Sequence, residues 1–202
     1  MNNSSKKTLL ILCGLSGSGK TYSSKLLQEQ FPNYKIVGPG YLRQQLNITQ
    51  YSRKDTPRLL AKVIELIEQN HAQGYGSMVD ANLKSVDIRE FFYDIAKHLG
   101  EEVIVLEHHC SDKTAQERMQ QREQKHSAEN PKNPAVHENQ KRIWQDTLLD
   151  LSLEEHSHVS LLRFDTEKKQ CQILRKNETV SEVVEKIVAV LTSQENSLFQ
   201  KL

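Results

Sequence analysis

Short apolar runs alternate along the chain with longer stretches in which apolar residues recur every three or four positions. Thr8 to Cys13 is a β-capable apolar run, too brief for a helix and followed by a glycine, and it predicts a buried strand. A helix is predicted from about Lys20 to Gln30, stopped ahead of Pro32, which has no N–H to continue it. Tyr34 to Val37 reads as a second strand, closed by Gly38-Pro39-Gly40. Thr56 as N-cap and Pro57 as first helical residue open a helix on which Leu59, Leu60, Val63, Ile64 and Ile67 form one apolar stripe, ending near Gly74. Ser77 to Val79 is the next strand, with Asp80 at its carboxyl end.

Ser85 then caps a helix carrying Ile88, Phe91, Phe92, Ile95 and Leu99, and Gly100 stops it. Val103 to Leu106 is a strand, and a helix poor in apolar residues starts near Ser111 or Asp112. Residues 123–142 are almost wholly polar and include Pro131 and Pro134, which predicts a solvated excursion. Ile143 to Leu153 reads as helical, Val159 to Phe164 as a strand ending at Asp165, and Cys171 to Leu174 as a short edge strand. Thr179 and Glu182 form a capping box for a last helix that turns Val183, Val184, Ile187, Val188 and Leu191 inward. Strands alternating with helices imply an α/β fold with a parallel sheet covered on both faces.

Composition narrows this picture without changing it. A chain of 202 residues, 37% hydrophobic and 26% charged, suits one domain that buries roughly 70% of its unfolded surface. The longest apolar stretch, Leu9 to Cys13, is far shorter than the roughly 18 residues a membrane span needs, so the expected location is the cytoplasm, with no membrane partner. Cys13, Cys110 and Cys171 are odd in number and widely spaced, which fits neither a disulfide framework nor a metal-ligand pattern. His108-His109 and His156-x-His158 are the pairs that could bind a metal, yet neither lies near a CxxC or a helical His-x3-His partner.

The net charge of +1 conceals a split. Residues 1–60 hold nine Lys or Arg against Glu29 and Asp55, a balance of +7, which leaves −6 for the remainder. An anionic ligand for the first third is the functional reading, and mutual neutralisation of the two parts in the fold is the structural one.

Gly14-Leu15-Ser16-Gly17-Ser18-Gly19-Lys20-Thr21 fits G-x4-G-K-[ST], and it leaves a predicted strand to enter a predicted helix, as a phosphate-binding loop must. Gly14, Gly17 and Gly19 let backbone N–H groups, those of Ser16 and Ser18 among them, converge on phosphate oxygens, and the helix N-terminus adds positive potential there. Lys20 can reach the β- and γ-phosphates, and the Thr21 hydroxyl can ligate Mg²⁺. Neither a D-x-x-G switch nor an N-K-x-D base reader is present, which sets GTPases aside.

The string Gly14 to Thr21, then Met78-Val79-Asp80-Ala81-Asn82-Leu83 with Arg89 following, then Arg118 and Arg122, then Phe164-Asp165-Thr166 before a last amphipathic helix, resembles the small P-loop kinases, an AAA-type ATPase domain. Within them it looks most like the polynucleotide 5′-hydroxyl kinase and zeta-toxin-like group. The resemblance spans about residues 8–192. It implies a five-stranded parallel sheet in order 2-3-1-4-5, Mg²⁺-ATP as donor, and a lid, here about residues 112–142. It implies that Asp80 orients Mg²⁺ together with Thr21, and that Arg118 and Arg122, four apart on one helical face, neutralise charge on the moving phosphoryl group; Arg142 is a weaker lid candidate. Many of these kinases show Asp-x-x-Arg after the second strand, the aspartate being the base on the acceptor. This sequence has Gly40-Tyr41-Leu42-Arg43, so Arg43 is left to hold an acceptor phosphate, with Asp55 or Asp80 as substitute bases. Two functions follow: a phosphotransferase acting on a small anionic, nucleotide-like or nucleic-acid-end acceptor, or a catalytically weak ATP-binding module that orders its lid for a partner.

Overall fold

The structure is a computed structural model that describes residues 7–46, 56–124, 134–152 and 154–193. Six strands form one sheet: β1 (Thr8–Gly14), β2 (Tyr34–Val37), β3 (Gly76–Asp80), β4 (Glu102–His109), β5 (Val159–Asp165) and β6 (Gln170–Arg175), in the order β2-β3-β1-β4-β5-β6. The first five are parallel, in the order the resemblance implies. The sixth corrects the expected count: the edge strand joins antiparallel to β5. Its connection from Asp165 to Gln170 passes through Lys169 at φ 53° and is too short for the crossover a parallel strand requires.

Successive residues of a strand face opposite sides, and both sides here are covered. Leu9, Ile11, Cys13, Val79, Val103 and Val105 pack with Leu59, Val63 and Ile67 of α3 (Thr56–Ala72) and with Phe92, Tyr93 and Ala96 of α4 (Val86–Leu99). Leu10, Leu12, Met78, Ile104, Leu106 and Phe164 pack with Leu26 and Leu27 of α1 (Lys20–Gln30) and with Val184, Ile187 and Leu191 of α7 (Ser181–Thr192). Three further helices, α2 (Pro39–Gln45), α5 (Asp112–Gln124) and α6 (Pro134–Arg142), complete the α set among the described residues. The chain leaves β1 toward β2 on one side and later crosses to β4 on the other. That reversal makes the carboxyl end of β1 the switch point at which open α/β sheets bind ligands. No described helix is long and apolar enough to cross a membrane.

Several expectations are corrected by tertiary contacts. Gly38-Pro39-Gly40 is not a closing turn, because Pro39 opens α2 and its fixed φ suits a first helical position. On α4 Phe92 is buried and Ile88, Ile95 and Leu99 pack partly buried against the core as expected, but Phe91 is 48% exposed and Arg89, Tyr93 and Ala96 turn inward in addition. Of the stretch expected to be helical, residues 143–146 are a turn and coil and Thr147–Ser152 is a 3-10 helix, not an α-helix, with Ile143, Leu148 and Leu149 exposed; Leu153 lies outside the described residues. There Asp146 Oδ1 accepts the Leu148 N–H, and Asp150 and Thr147 turn inward to polar partners that an apolar stripe cannot reveal. The Thr179–Glu182 box does not form. Instead Asn177 Oδ1 accepts the Thr179 N–H and caps a 3-10 turn, Glu178–Val180, ahead of α7. Of the polar excursion, residues 123–124 end α5 and residues 134–142 are α6, while residues 125–133 lie outside the described residues.

Candidate active site

The loop between β1 and α1 adopts a backbone that only glycine tolerates. Gly14, Gly17 and Gly19 stand at φ 138°, 84° and 100°. A Cβ on Gly14 would lie 2.5 Å from the His108 carbonyl oxygen, and one on Gly17 2.6 Å from that of Ala115. The loop is thereby wrapped tightly against β4 and α5, with its N–H groups at the start of α1, where the helix dipole favours anions and no acidic residue occupies the first turn. Ser16, Ser18 and Lys20 are buried. Lys20 Nζ donates to the Gly14 and Leu15 carbonyls at 2.8 and 2.9 Å, which holds the ammonium inside the curve of the loop.

Asp80 is buried at the end of β3, in register with Leu12, and its neighbour Ala81 donates to the Leu12 carbonyl. Ser24 on α1 bridges it to the loop: its Oγ lies 3.5 Å from Asp80 Oδ2 and donates to the carbonyl of Thr21 at 3.1 Å. Gly38 makes room for this carboxyl end, since a Cβ there would stand 2.3 Å from the Asp80 carbonyl oxygen. Lys20, Thr21 and Asp80 are thus gathered at one corner.

The arginines divide. Arg118 Nη1 donates to Thr166 Oγ1 at 2.9 Å and to the Gly17 carbonyl at 3.3 Å, so it clamps α5 to the loop and to the end of β5. Arg122 follows one turn later on α5, its side chain outside the described residues. Arg142 is turned onto its own helix, bonded to Asn139. Arg43 is half-buried on the last turn of α2, at the same carboxyl edge of the sheet as the loop, and Gly40 lies in the first turn. Asp55 lies outside the described residues. The +7 block is not one surface. Lys7 and Lys35 stand toward the amino ends of the strands, bonded to the His71 carbonyl and Gln73, while Lys20 and Arg43 are at the opposite edge.

Residues 9–147 match the family described as an AAA domain. The chain belongs to that family. No curated protein matches this AAA domain. Among solved structures, it resembles a chain of the Pnkp1/Rnl/Hen1 RNA repair complex at TM-score 0.58 and 18% identity, covering 70% of this chain and 46% of that one. The AAA domain thus spans less than half the length of that repair protein. It also resembles the PezAT toxin-antitoxin system of Streptococcus pneumoniae (0.58, 19%, 98% and 89% covered). The APS kinase CysC of Mycobacterium tuberculosis, in complex with AMPPNP and APS, matches at 0.55 and 14%, with 93% and 99% covered. At these identities the likeness is one of fold, and the fold is that of P-loop kinases.

Sequence reasoning missed much of what supports the site of this AAA domain. Arg89 is fully buried and forks onto Asp150, Nε to Oδ2 at 2.6 Å and Nη2 to Oδ1 at 2.8 Å. Tyr93 donates to the same carboxylate at 2.6 Å. Arg89 Nη1 donates to the carbonyl of Leu83, a residue at φ 38°, so the pair also fixes the loop that follows Asp80. No motif announces Asp150, 61 residues away. His108 lies under the loop on the α1 face; burial first, and then the Lys20 charge, push its imidazole down to about 3. Neighbouring strand residues face opposite sides, so His108 and His109 do not form a metal pair. His156 and His158 bond instead to the carbonyls of Asp150 and Tyr93. Among the described residues no three His, Cys, Asp or Glu gather as metal ligands.

On the α4 side, fully buried Glu107 meets Thr147 Oγ1 at 2.7 Å, Arg163 at 2.9 Å and His109 Nε2 at 3.1 Å. Burial alone would raise its carboxyl, but the bonds from His109 and Thr147 and the Arg163 charge outweigh it and hold the group at about 2. Because the folded value is depressed, this stabilisation is full above the unfolded value of 4.5 and is lost as pH falls through 2. The contribution is on the order of 3 kcal/mol. Urea unfolding between about pH 5 and pH 2 is expected to show a falling stability that Glu107→Gln flattens; equal slopes in the two proteins would refute the assignment.

Proposed function

We propose that this AAA domain is a P-loop kinase that moves the γ-phosphate of Mg²⁺-ATP to a small, anionic acceptor. The observation that carries the reading is the loop itself: three positive-φ glycines at a helix N-terminus, curled around the buried Lys20 ammonium. Backbone N–H groups of Gly14 to Thr21 donate to the phosphate oxygens, and Lys20 exchanges the loop carbonyls for phosphate oxygens. Thr21 and Asp80 would hold Mg²⁺, which when bound would screen phosphate charge and orient the transferred group. Arg118, whose bond to the Gly17 carbonyl supports the reading, stabilises charge on the moving phosphoryl group together with Arg122 one turn later on α5. Residues of about 112–142 serve as the lid over that group.

Arg43 is the proposed acceptor clamp. An acceptor that attacks through a phosphate oxygen is already ionised at neutral pH and needs no base, which suits Gly40 in place of the aspartate that the resembling kinases carry. That APS kinase has been solved with AMPPNP and APS supports a nucleotide donor for the fold. In a screen of nucleosides, nucleotides, sugars and 5′-hydroxyl oligonucleotides with radiolabelled ATP, an acceptor bearing phosphate is expected to be best. Arg43→Ala is expected to raise its KM about 10-fold or more while leaving the KM of ATP nearly unchanged. A neutral hydroxyl acceptor with a KM indifferent to Arg43→Ala would overturn the assignment. The second reading, a weak ATP-binding module, is favoured by the side-chain-free Gly40; slow ATP hydrolysis with no acceptor in that screen would support it.

A further inference from the structure

Helix α6 contacts the phosphate loop through side chains that no motif marks. Gln140 Oε1 accepts the backbone N–H of Ser16 at 2.9 Å. His137, 2% exposed, meets the Ser16 carbonyl through Nδ1 at 2.8 Å and Asp112 Oδ1 through Nε2 at 3.1 Å. Lys141 pairs with the other oxygen of Asp112 at the start of α5. Residues 137, 140 and 141 are spaced i, i+3, i+4 and share one face of α6, so one surface of the helix is committed to this contact. The contact therefore engages both the N–H and the C=O of a single loop residue.

The Ser16 N–H is one donor. A carboxamide oxygen and a phosphate oxygen are both good acceptors for it, and an N–H makes one strong bond at a time. From this geometry we infer that Gln140 is an internal competitor for the phosphate cradle: its carboxamide occupies the Ser16 N–H that a bound phosphate would use. A phosphate taking that N–H displaces the Gln140 side chain, and the side chain returns when the phosphate leaves. His137 and Asp112 hold α6 in place to make the return fast. The effect is to lower affinity for the phosphates and to favour their release, with no part in recognising a base.

This inference rests on the loop being a phosphate site. Calorimetry on the full chain separates the two ideas, using Mg²⁺-ATP, Mg²⁺-tripolyphosphate as a phosphate-only probe, and adenosine as a base-only probe. Gln140→Met keeps the bulk and the helix but removes the acceptor, and it is expected to lower Kd about threefold to tenfold for both phosphate ligands and to leave adenosine unchanged. Gln140→Glu places a charged, stronger acceptor on the same N–H and is expected to raise both values. Wild-type protein that binds both phosphate ligands, with Gln140→Met unchanged or weaker, overturns the competitor role alone. Wild-type protein that binds neither overturns the phosphate site, and this role with it.

Discussion

Lys20→Ala is expected to lower phosphotransfer by about 10²- to 10³-fold, the scale lost when one preorganised charge is removed from a dry site. Lys20 is 8% exposed and its ammonium is held by two loop carbonyls, so its desolvation and its position are already set before phosphate arrives. Alanine removes that point charge while leaving the glycine backbone, so the loop keeps its shape and loses its pull on the β- and γ-phosphates. Lys20→Arg is not expected to restore it, because a planar five-donor fork does not replace a compact ammonium inside a curve sized for one. Calorimetry with Mg²⁺-ATP and single-turnover kinetics check this. Equal binding and equal turnover in wild type and Lys20→Ala would refute the nucleotide site, whatever the acceptor proves to be.

Arg89→Ala is expected to cost about 3–5 kcal/mol of folding stability, since removing one partner of a buried pair leaves the other uncompensated. Asp150 would be stranded with Tyr93 alone against it, and the Leu83 and Asp146 carbonyls would lose their donor. For a chain of this size that loss is about 6–20 °C in Tm, a large part of a typical total stability. The double variant Arg89→Met with Asp150→Leu is expected to be more stable than Arg89→Ala, because it removes the unpaired charge together with its partner. Thermal and urea unfolding give both values. A single variant within 1 kcal/mol of wild type would show that the pair does not hold the segment 146–150 against α4.

The strands and most helices were legible because their signals are local. A five-residue apolar run closed by glycine can be little other than a buried strand, and Thr56-Pro57 or Gly100 states a helix boundary within a few residues. The phosphate loop was legible for the same reason: its glycines, Lys20 and Thr21 act through backbone conformation and reach of a few residues, and the structure gives each glycine the positive φ its role needs. Asp80 could be placed at a strand end, although only the sheet register set it beside α1.

What the sequence alone could not decide were the pairings across long separations. Asp150 with Arg89, Glu107 with Arg163, His137 and Gln140 with Ser16, and Arg118 with Thr166 join residues 48 to 124 positions apart. Asp150, Gln140, His137 and Arg118 lie in stretches that read as solvated or weakly helical, while Arg89 and Arg163 are single charges inside apolar elements, and a polar residue carries no periodic mark of the partner it will meet. Burial turns such residues inward only when the partner is already there to offset their desolvation. The spread of the +7 block follows the same logic: the chain's order determined how many charges its first third carries, and the alternation of strand ends between two edges of the sheet decided that only some of them face the site.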